Sequence, residues 1–210
     1  MLRELDIEVE SRYVGPWARA LLNLEEGSVD IMCGVYATPE RRKFAEFSVP
    51  FKEDRVSLFV WKERSFLFKE WRDLEGKRIG DILGASRSRE FDKWRKVHGD
   101  IEYVSDNLIN IKKLEKGRID CFVMSHDSGV IFIKSHGYGE RIVPLEKPVD
   151  VNYLCYGISK KSSILRHLTH INKRLDELRA DGTIDAVIRS NRDAFLAALA
   201  AKKPRSATTF

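Results

Sequence analysis

The sequence predicts an α/β protein with two similar lobes, and two observations lead to this prediction. Short apolar segments typical of strands alternate with amphipathic segments typical of helices along most of the 210 residues, which favours mostly parallel sheets flanked by helices. In addition, the segment LEEGSVD at 24–30 is echoed by LEKGRID at 114–120, and each copy predicts a helix end, a glycine stop and a strand. Their separation is too long for a solenoid repeat and fits two lobes of similar construction.

The N-terminal elements follow from local signals. Residues 1–7 resemble the end of a helix, and residues 7–13 alternate apolar and polar side chains as a strand does. Pro16 is suited to open a helix that runs to about Glu26, and Gly27 is suited to close it. A short apolar strand is predicted at 29–33.

The alternation continues to the C-terminal end. Apolar segments predict strands at 56–61, 78–83, 101–104, 119–124 and 149–158. Amphipathic segments predict helices that end near 97, 117, 135, 181 and 200. The last residues, 202–210, have the composition of a disordered tail.

The stretch 34–43, GVYATPERRK, carries the most specific signal. Thr38, Pro39 and Glu40 predict a helix start, with an N-cap hydroxyl, a proline and an acidic residue in order. Arg41 then lies in the first turn, where a cation is mildly unfavourable. An anion held between Arg41 and free backbone N–H groups removes this conflict, which predicts a carboxylate-binding corner. The alternative is a basic turn that simply faces water, as most charge runs do.

Composition argues against several other classes. The 37 Lys and Arg are mixed with 32 Asp and Glu, and no nucleic-acid-binding motif accompanies the net charge of +5. The three cysteines form no CxxC, and Cys33 and Cys121 are expected to be core thiols. The five histidines show no convincing ligand spacing, so neither a metal nor a cofactor is expected. No apolar stretch is long enough for a membrane span, and the N-terminus has no apolar signal core.

The stretch 34–43, followed by FSVPF at 47–51, resembles the signature of family 3 solute-binding proteins, the polar amino-acid receptors of ABC transporters. DLEGKRIGDILGAS at 73–86 and GRIDCFVMS at 117–125 resemble further family segments, and the resemblance runs from residue 2 to about residue 191. It implies a two-lobed, type II periplasmic-binding-protein-like fold in which the lobes close on a small ligand.

The resemblance also implies a division of the chain. Lobe 1 would comprise 1–59 and 154–210, lobe 2 would comprise 60–153, and hinge strands would lie near 59–62 and 152–156. The family's opening strand has no counterpart in this sequence, so lobe 1 is expected to be N-terminally truncated. A sheet with such a gap is expected to allow a homodimer through its exposed edge.

By the same analogy, the ligand would be held from both lobes. Arg41 would clamp its α-carboxylate bidentately, and the main chain at Gly34 and Tyr36 would contact the ligand amine or carboxylate. Ala85 and Ser86 would add N–H donors at a helix N-terminus of the second lobe.

Two further positions follow from the resemblance. Thr38 matches a residue whose hydroxyl mainly caps a helix. Ser125 aligns with the family's amine-binding aspartate, and His126 or Asp127 is a candidate to replace that carboxylate.

The predicted function is therefore non-enzymatic binding of an amino acid or related carboxylate, without a cofactor, as the substrate-binding component of an ABC transporter. Its partners would be the small ligand and a transporter permease, with no nucleic acid, and its location would be periplasmic, although this chain shows no signal peptide. One alternative is an enzyme resembling cyclohexadienyl dehydratases, with His126 or Asp127 as general acid. Another is a degenerate sensor or interaction domain without a ligand.

Overall fold

The structure is a computed structural model that describes residues 1–201. The predicted disorder of 202–210 lies outside these residues. The strands are β1 (Ile31–Val35), β2 (Ala45–Phe47), β3 (Lys52–Trp61), β4 (Arg78–Ile82), β5 (Asp100–Val104), β6 (Cys121–Ser125), β7 (Ile142–Pro144) and β8 (Asp150–Ser159). The α-helices are α1 (Trp17–Glu26), α2 (Arg89–His98), α3 (Asn107–Glu115), α4 (His126–Ser135), α5 (Leu168–Ala180) and α6 (Thr183–Ala201).

The strands form one mixed sheet of order β1-β8-β3-β6-β4-β5, with β2 beside β8 and β7 beside β3. Pairing is parallel between β4 and its neighbours β5 and β6, and the other pairs are antiparallel. Because the two ends of the sheet have separate helices and separate cores, the predicted two-lobed α/β fold is confirmed. The sheet is mixed because the two long strands β3 and β8 each run antiparallel to all of their neighbours.

Two long strands connect the lobes. The first half of β3 pairs with the first half of β8 over 52–56 and 150–154. Beyond this region β3 continues beside β6 and β7, whereas β8 continues between β1 and β2. The division of the chain into lobes and the hinge remain predictions. The pairing supports a crossing at 52–56 and 150–154, since 59–61 pairs with β7 inside the second lobe.

The second lobe is buried on both faces of its sheet. Alternate residues of β3 point to opposite faces, so Leu58 joins a cluster with Ile79 and Phe91, whereas Phe59 joins one with Phe122. Phe59 and Phe122 stack with their ring centroids 5.4 Å apart, a separation common for aromatic pairs. The α2 side and the α3–α4 side therefore each have their own core.

The first lobe packs α1 against the β1–β8–β2 sheet. Leu24, Val35, Ala45 and Phe47 are buried together, and Leu24 is wholly inaccessible. Gly27 has φ +79° and its N–H bonds back to α1 carbonyls, so the predicted C-cap is confirmed.

Several local predictions in the first lobe are wrong. Residues 7–13 form no strand, because no described strand lies beside them, and the predicted helix end at 1–7 is a 3₁₀ turn, Arg3–Leu5. The helix expected after Thr38 is also one 3₁₀ turn, Arg41–Lys43. Cys33 is exposed while Cys121 is buried, because an open cavity of about 940 Å³ separates the outer face of β1 from the N-terminal segment.

Gly129→Ala is expected to destabilise the second lobe. Within a helix, alanine is normally favoured over glycine by roughly 0.5–1 kcal/mol. A Cβ at position 129 would, however, lie 2.3 Å from the ring of Phe59, which is fully buried. Overpacking of this kind costs about 1–3 kcal/mol, and urea unfolding measures it. The control is Ser128→Ala on the exposed side of α4, and an equal or higher stability of Gly129→Ala would contradict the packing.

Candidate functional site

Arg41 is positioned by the turn that follows β1. Gly34 adopts φ +75° at an irregularity in the β1–β8 pairing, a conformation that favours glycine. The backbone N–H groups of Arg41 and Arg42 donate to the Thr38 hydroxyl at 3.3 Å and to the Thr38 carbonyl at 3.0 Å, so Thr38 holds the start of the 3₁₀ turn, although Glu40 and not Thr38 occupies the N-cap position. This turn directs the Arg41 side chain inward, where only 5% of the residue is exposed.

The Arg41 guanidinium forms hydrogen bonds with groups of both lobes. Its Nη1 donates to the Tyr36 carbonyl at 2.9 Å, and its Nη2 donates to the Gly84 carbonyl in the second lobe at 3.1 Å. The group also lies over the Trp17 ring, whose Nε1 donates to the same Gly84 carbonyl at 3.2 Å. Burial is the main cause that lowers the pKa of Arg41 to about 10, so it stays charged at neutral pH.

The partners of Arg41 are therefore neutral oxygens. Among residues 1–201, no carboxylate lies within the 4.0 Å that defines an ion pair with this guanidinium. A buried charge is costly unless it is paired. The charges of Asp92 and Glu40 act on Arg41 from farther away, so the guanidinium has acidic neighbours but no ion pair within the described residues.

The second-lobe loop 83–88 lies in front of α2, so Ala85 and Ser86 are not where the sequence predicted them. The helix α2 begins at Arg89 with Ser88 as its N-cap, so Ala85 and Ser86 precede the helix and do not form its N-terminus. The Ala85 N–H closes a turn onto the Ile82 carbonyl at 3.2 Å, and the Ser86 hydroxyl donates to an Asp92 carboxylate. Their role as ligand contacts remains a prediction, and the helix-terminus reason for it is wrong.

A buried ionic cluster supports this loop. Asp81, which is wholly inaccessible, accepts hydrogen bonds from both Arg87 and Arg95. Arg95 also donates to the Ala85 carbonyl at 2.9 Å, which connects the cluster to the loop. This cluster is not among the predicted site residues, although an acid inside the apolar strand segment RIGDIL is a sequence signal for it.

A second buried group lies on β3. Asp54, 3% exposed, accepts hydrogen bonds from the Tyr36 hydroxyl and from Ser125 Oγ, the latter at 2.7 Å. Burial, followed by the charge of Asp54, raises the pKa of Tyr36, so its phenol remains a donor. Tyr36 therefore accepts a hydrogen bond from Arg41 at its backbone carbonyl and donates one to Asp54 from its hydroxyl. Sequence reasoning found Tyr36 and Ser125 but missed Asp54, an acid at an inward position of the long strand.

His126 and Asp127 have other partners. The His126 ring Nδ1 lies 3.0 Å from Ser57 Oγ, and Asp127 forms an ion pair with Lys52. Burial and then Arg55 lower the pKa of His126. Burial alone would raise the pKa of Asp127, but Lys52 outweighs it and the pKa is lowered. At neutral pH neither residue is therefore poised to donate a proton.

The described part of the chain contains no group of three or more His, Cys, Asp and Glu side chains arranged to hold a metal ion. None of its helices is sufficiently long and apolar to cross a membrane.

Asp81→Asn is expected to lower the free energy of unfolding by about 3 kcal/mol, because it leaves the buried Arg87 without an ion pair and leaves Arg95 with Asp92 alone. Chemical denaturation measures the change. The control is Glu90→Gln, since Glu90 forms an exposed pair with Lys93 and its loss should cost less than about 1 kcal/mol. Equal effects of the two substitutions would show that the buried cluster contributes no more than a surface pair.

Comparisons with known proteins agree with this architecture. A family model described as bacterial extracellular solute-binding proteins, family 3, matches residues 1–191. The solved structure of an ancestral arginine-binding protein bound to arginine superposes with a TM-score of 0.71 and 26% identity, covering 90% of this chain and 82% of that one.

Two curated proteins are similar in sequence. The probable amino-acid-binding protein YxeM of Bacillus subtilis (strain 168) is 26% identical over 165 residues, which cover 77% of this chain and 61% of the relative. The L-cystine-binding protein TcyJ of Escherichia coli (strain K12) is 24% identical over 180 residues, which cover 81% and 63%. The chain thus spans less than two thirds of each relative's length. With the family model matching nearly the whole described chain, this protein belongs to the bacterial extracellular solute-binding proteins of family 3.

Proposed function

We propose that this protein binds a small carboxylate-bearing molecule, an amino acid or a related compound, between its two lobes. The observation that carries the proposal is Arg41, a buried cation whose hydrogen-bond partners are the neutral carbonyls of Tyr36 and Gly84. A carboxylate accepts two parallel hydrogen bonds from a guanidinium and supplies the missing negative charge. The names of the relatives, which describe amino-acid-binding and L-cystine-binding proteins, support the same ligand class.

Lobe closure explains how such a ligand is retained. The Gly84 carbonyl belongs to the second lobe, whereas Arg41 and Trp17, which both donate to it, belong to the first. Closing this contact removes water from around the guanidinium, which strengthens its attraction for a bound carboxylate. Opening at the β3–β8 crossing exposes the site for entry and release.

Family membership extends the proposal to the biological setting. The protein would act outside the cytoplasmic membrane and deliver its ligand to the permease of an ABC transporter. The enzyme alternative has less support, because His126 is neutral and Asp127 is ionised at neutral pH, and neither state suits a general acid.

A homodimer remains part of the proposal. The strand β1 ends the sheet, and the cavity beside it leaves its outer edge accessible. Such an edge offers backbone groups to a second strand. Sedimentation velocity tests this: a monomer at all concentrations would exclude the dimer, and a dimer dispersed by Met32→Lys would place the interface at this edge.

Arg41→Lys is expected to lower affinity for amino acids by about tenfold or more, because lysine keeps the charge but loses the bidentate geometry. The measurement is a thermal-shift screen against the common amino acids, followed by calorimetric titration of each hit. A hit at a hundred times its dissociation constant should stabilise the wild-type protein by about 2.7 kcal/mol.

The neighbouring arginine provides the control. Arg42 is exposed and contacts the Phe47 ring, so Arg42→Lys should keep wild-type affinity. The proposal fails if Arg41→Lys binds as tightly as Arg42→Lys. It also fails if the folded wild-type protein responds to no amino acid.

A further inference from the structure

The two lobes contact each other directly at the backbone carbonyl of Gly84. This carbonyl belongs to the second-lobe loop, and it accepts hydrogen bonds from Arg41 Nη2 at 3.1 Å and from Trp17 Nε1 at 3.2 Å, both in the first lobe. We call this pair of hydrogen bonds the Gly84 latch. A carbonyl oxygen has two lone pairs, so two donors satisfy it. The latch is therefore complete with groups of the protein alone.

Packing of the backbone accompanies the latch. Gly84 has φ +76°, a conformation that favours glycine, and a Cβ built on it would lie 3.4 Å from Leu21 Cδ1 and 3.6 Å from the Cα and Cβ of Ala18. The loop thus lies against α1, the helix that also carries Trp17. The contact between the lobes combines two hydrogen bonds with van der Waals packing, and both favour the closed arrangement.

The second lobe holds the acceptor of the latch in position. The Ala85 carbonyl, next to Gly84, accepts a hydrogen bond from Arg95 Nη2 at 2.9 Å. The Arg87 carbonyl accepts one from Asn152 Nδ2 of the connecting strand β8, also at 2.9 Å. Because the loop is already ordered by these contacts, closing the latch costs little further conformational entropy.

The first lobe holds the two donors in a similar way. The Arg41 guanidinium lies over the Trp17 ring, 5.6 Å from its centroid, and its Nη1 donates to the Tyr36 carbonyl at 2.9 Å. The two donors of the latch therefore support each other, and the second is fixed to its own lobe as well. Donors and acceptor that are positioned beforehand favour the contact between them.

We propose that the Gly84 latch closes the two lobes by itself, so that the protein is mainly closed before a ligand binds and the ligand enters through a minor open population. This inference goes beyond the proposed function, in which closure retains a ligand that has already bound. Closure of this kind inhibits binding, because the apparent affinity for a ligand falls in proportion to the fraction of molecules that are competent to bind it.

The experiment measures the distance between two spin labels, one on each lobe, by pulsed electron spin resonance in buffer without ligand. The labels are attached at Glu25→Cys on α1 and Lys93→Cys on α2, two exposed positions, in a Cys33→Ser background that removes the exposed native thiol. Singly labelled protein identifies any distance that arises between two copies of the chain. Protein with Trp17 should give one main distance, the short one that the closed structure predicts.

Trp17→Phe should add a second, longer distance. The substitution removes the Nε1 donor but keeps an aromatic ring beside Arg41. Loss of one neutral hydrogen bond should raise the ratio of open to closed molecules by about threefold to tenfold. The matched control is Trp61→Phe, because Trp61 lies on β3 beside Arg64 and Arg141 and takes no part in the latch, so it should keep the distances of the parent protein.

The inference is overturned if the longer distance is the main one in protein that retains Trp17. It is also overturned if folded Trp17→Phe and Trp61→Phe proteins give the same distances. The amino-acid screen tests the proposed function separately. A mainly open protein that binds amino acids would refute the latch alone, whereas a mainly closed protein that opens on Trp17→Phe but binds no amino acid would support the latch and refute the proposed function.

Discussion

The antiparallel pairing between the first halves of β3 and β8 is the constraint on which the rest of the structure depends. It is the segment in which the two strands lie side by side before each enters a different lobe. The groups at the boundary between the lobes are positioned relative to this pairing. They include Asp54 on β3 and the second-lobe loop that carries Gly84, whose carbonyl accepts a hydrogen bond from Arg41. Because backbone hydrogen bonds fix the register of β3 and β8, each lobe is positioned relative to the same pair of strands.

Charge is distributed unevenly around this boundary. In the Asp81 cluster, two arginines pair with Asp81, and one of them, Arg95, also pairs with Asp92, and these contacts hold the loop before α2 in place. At Arg41 and Asp54 the charges are equally buried but meet neutral groups. Buried charges in proteins are normally paired, and within residues 1–201 this holds for the cluster that supports the loop before α2 but not for Arg41 and Asp54.

The first lobe is less complete than the second. Both faces of the second-lobe sheet are covered by buried clusters, whereas the outer side of β1 borders an open cavity and leaves Cys33 exposed. A strand is stable only when its backbone groups are paired. This explains why residues 7–13, despite their alternation, form no strand in the described chain.

The sequence by itself determined what depends on near neighbours and on periodicity: the α/β class, the Gly27 cap and the existence of a turn after Thr38. These features rest on interactions over a few residues, which composition and spacing encode directly. Only the tertiary structure decided that Asp54 meets Tyr36 and Ser125, that Asp81 meets two arginines, and that Gly84 reaches Arg41. Those contacts join residues far apart in the chain. A local sequence pattern does not specify its long-range partner. Strand register and lobe closure decide which distant groups come into contact.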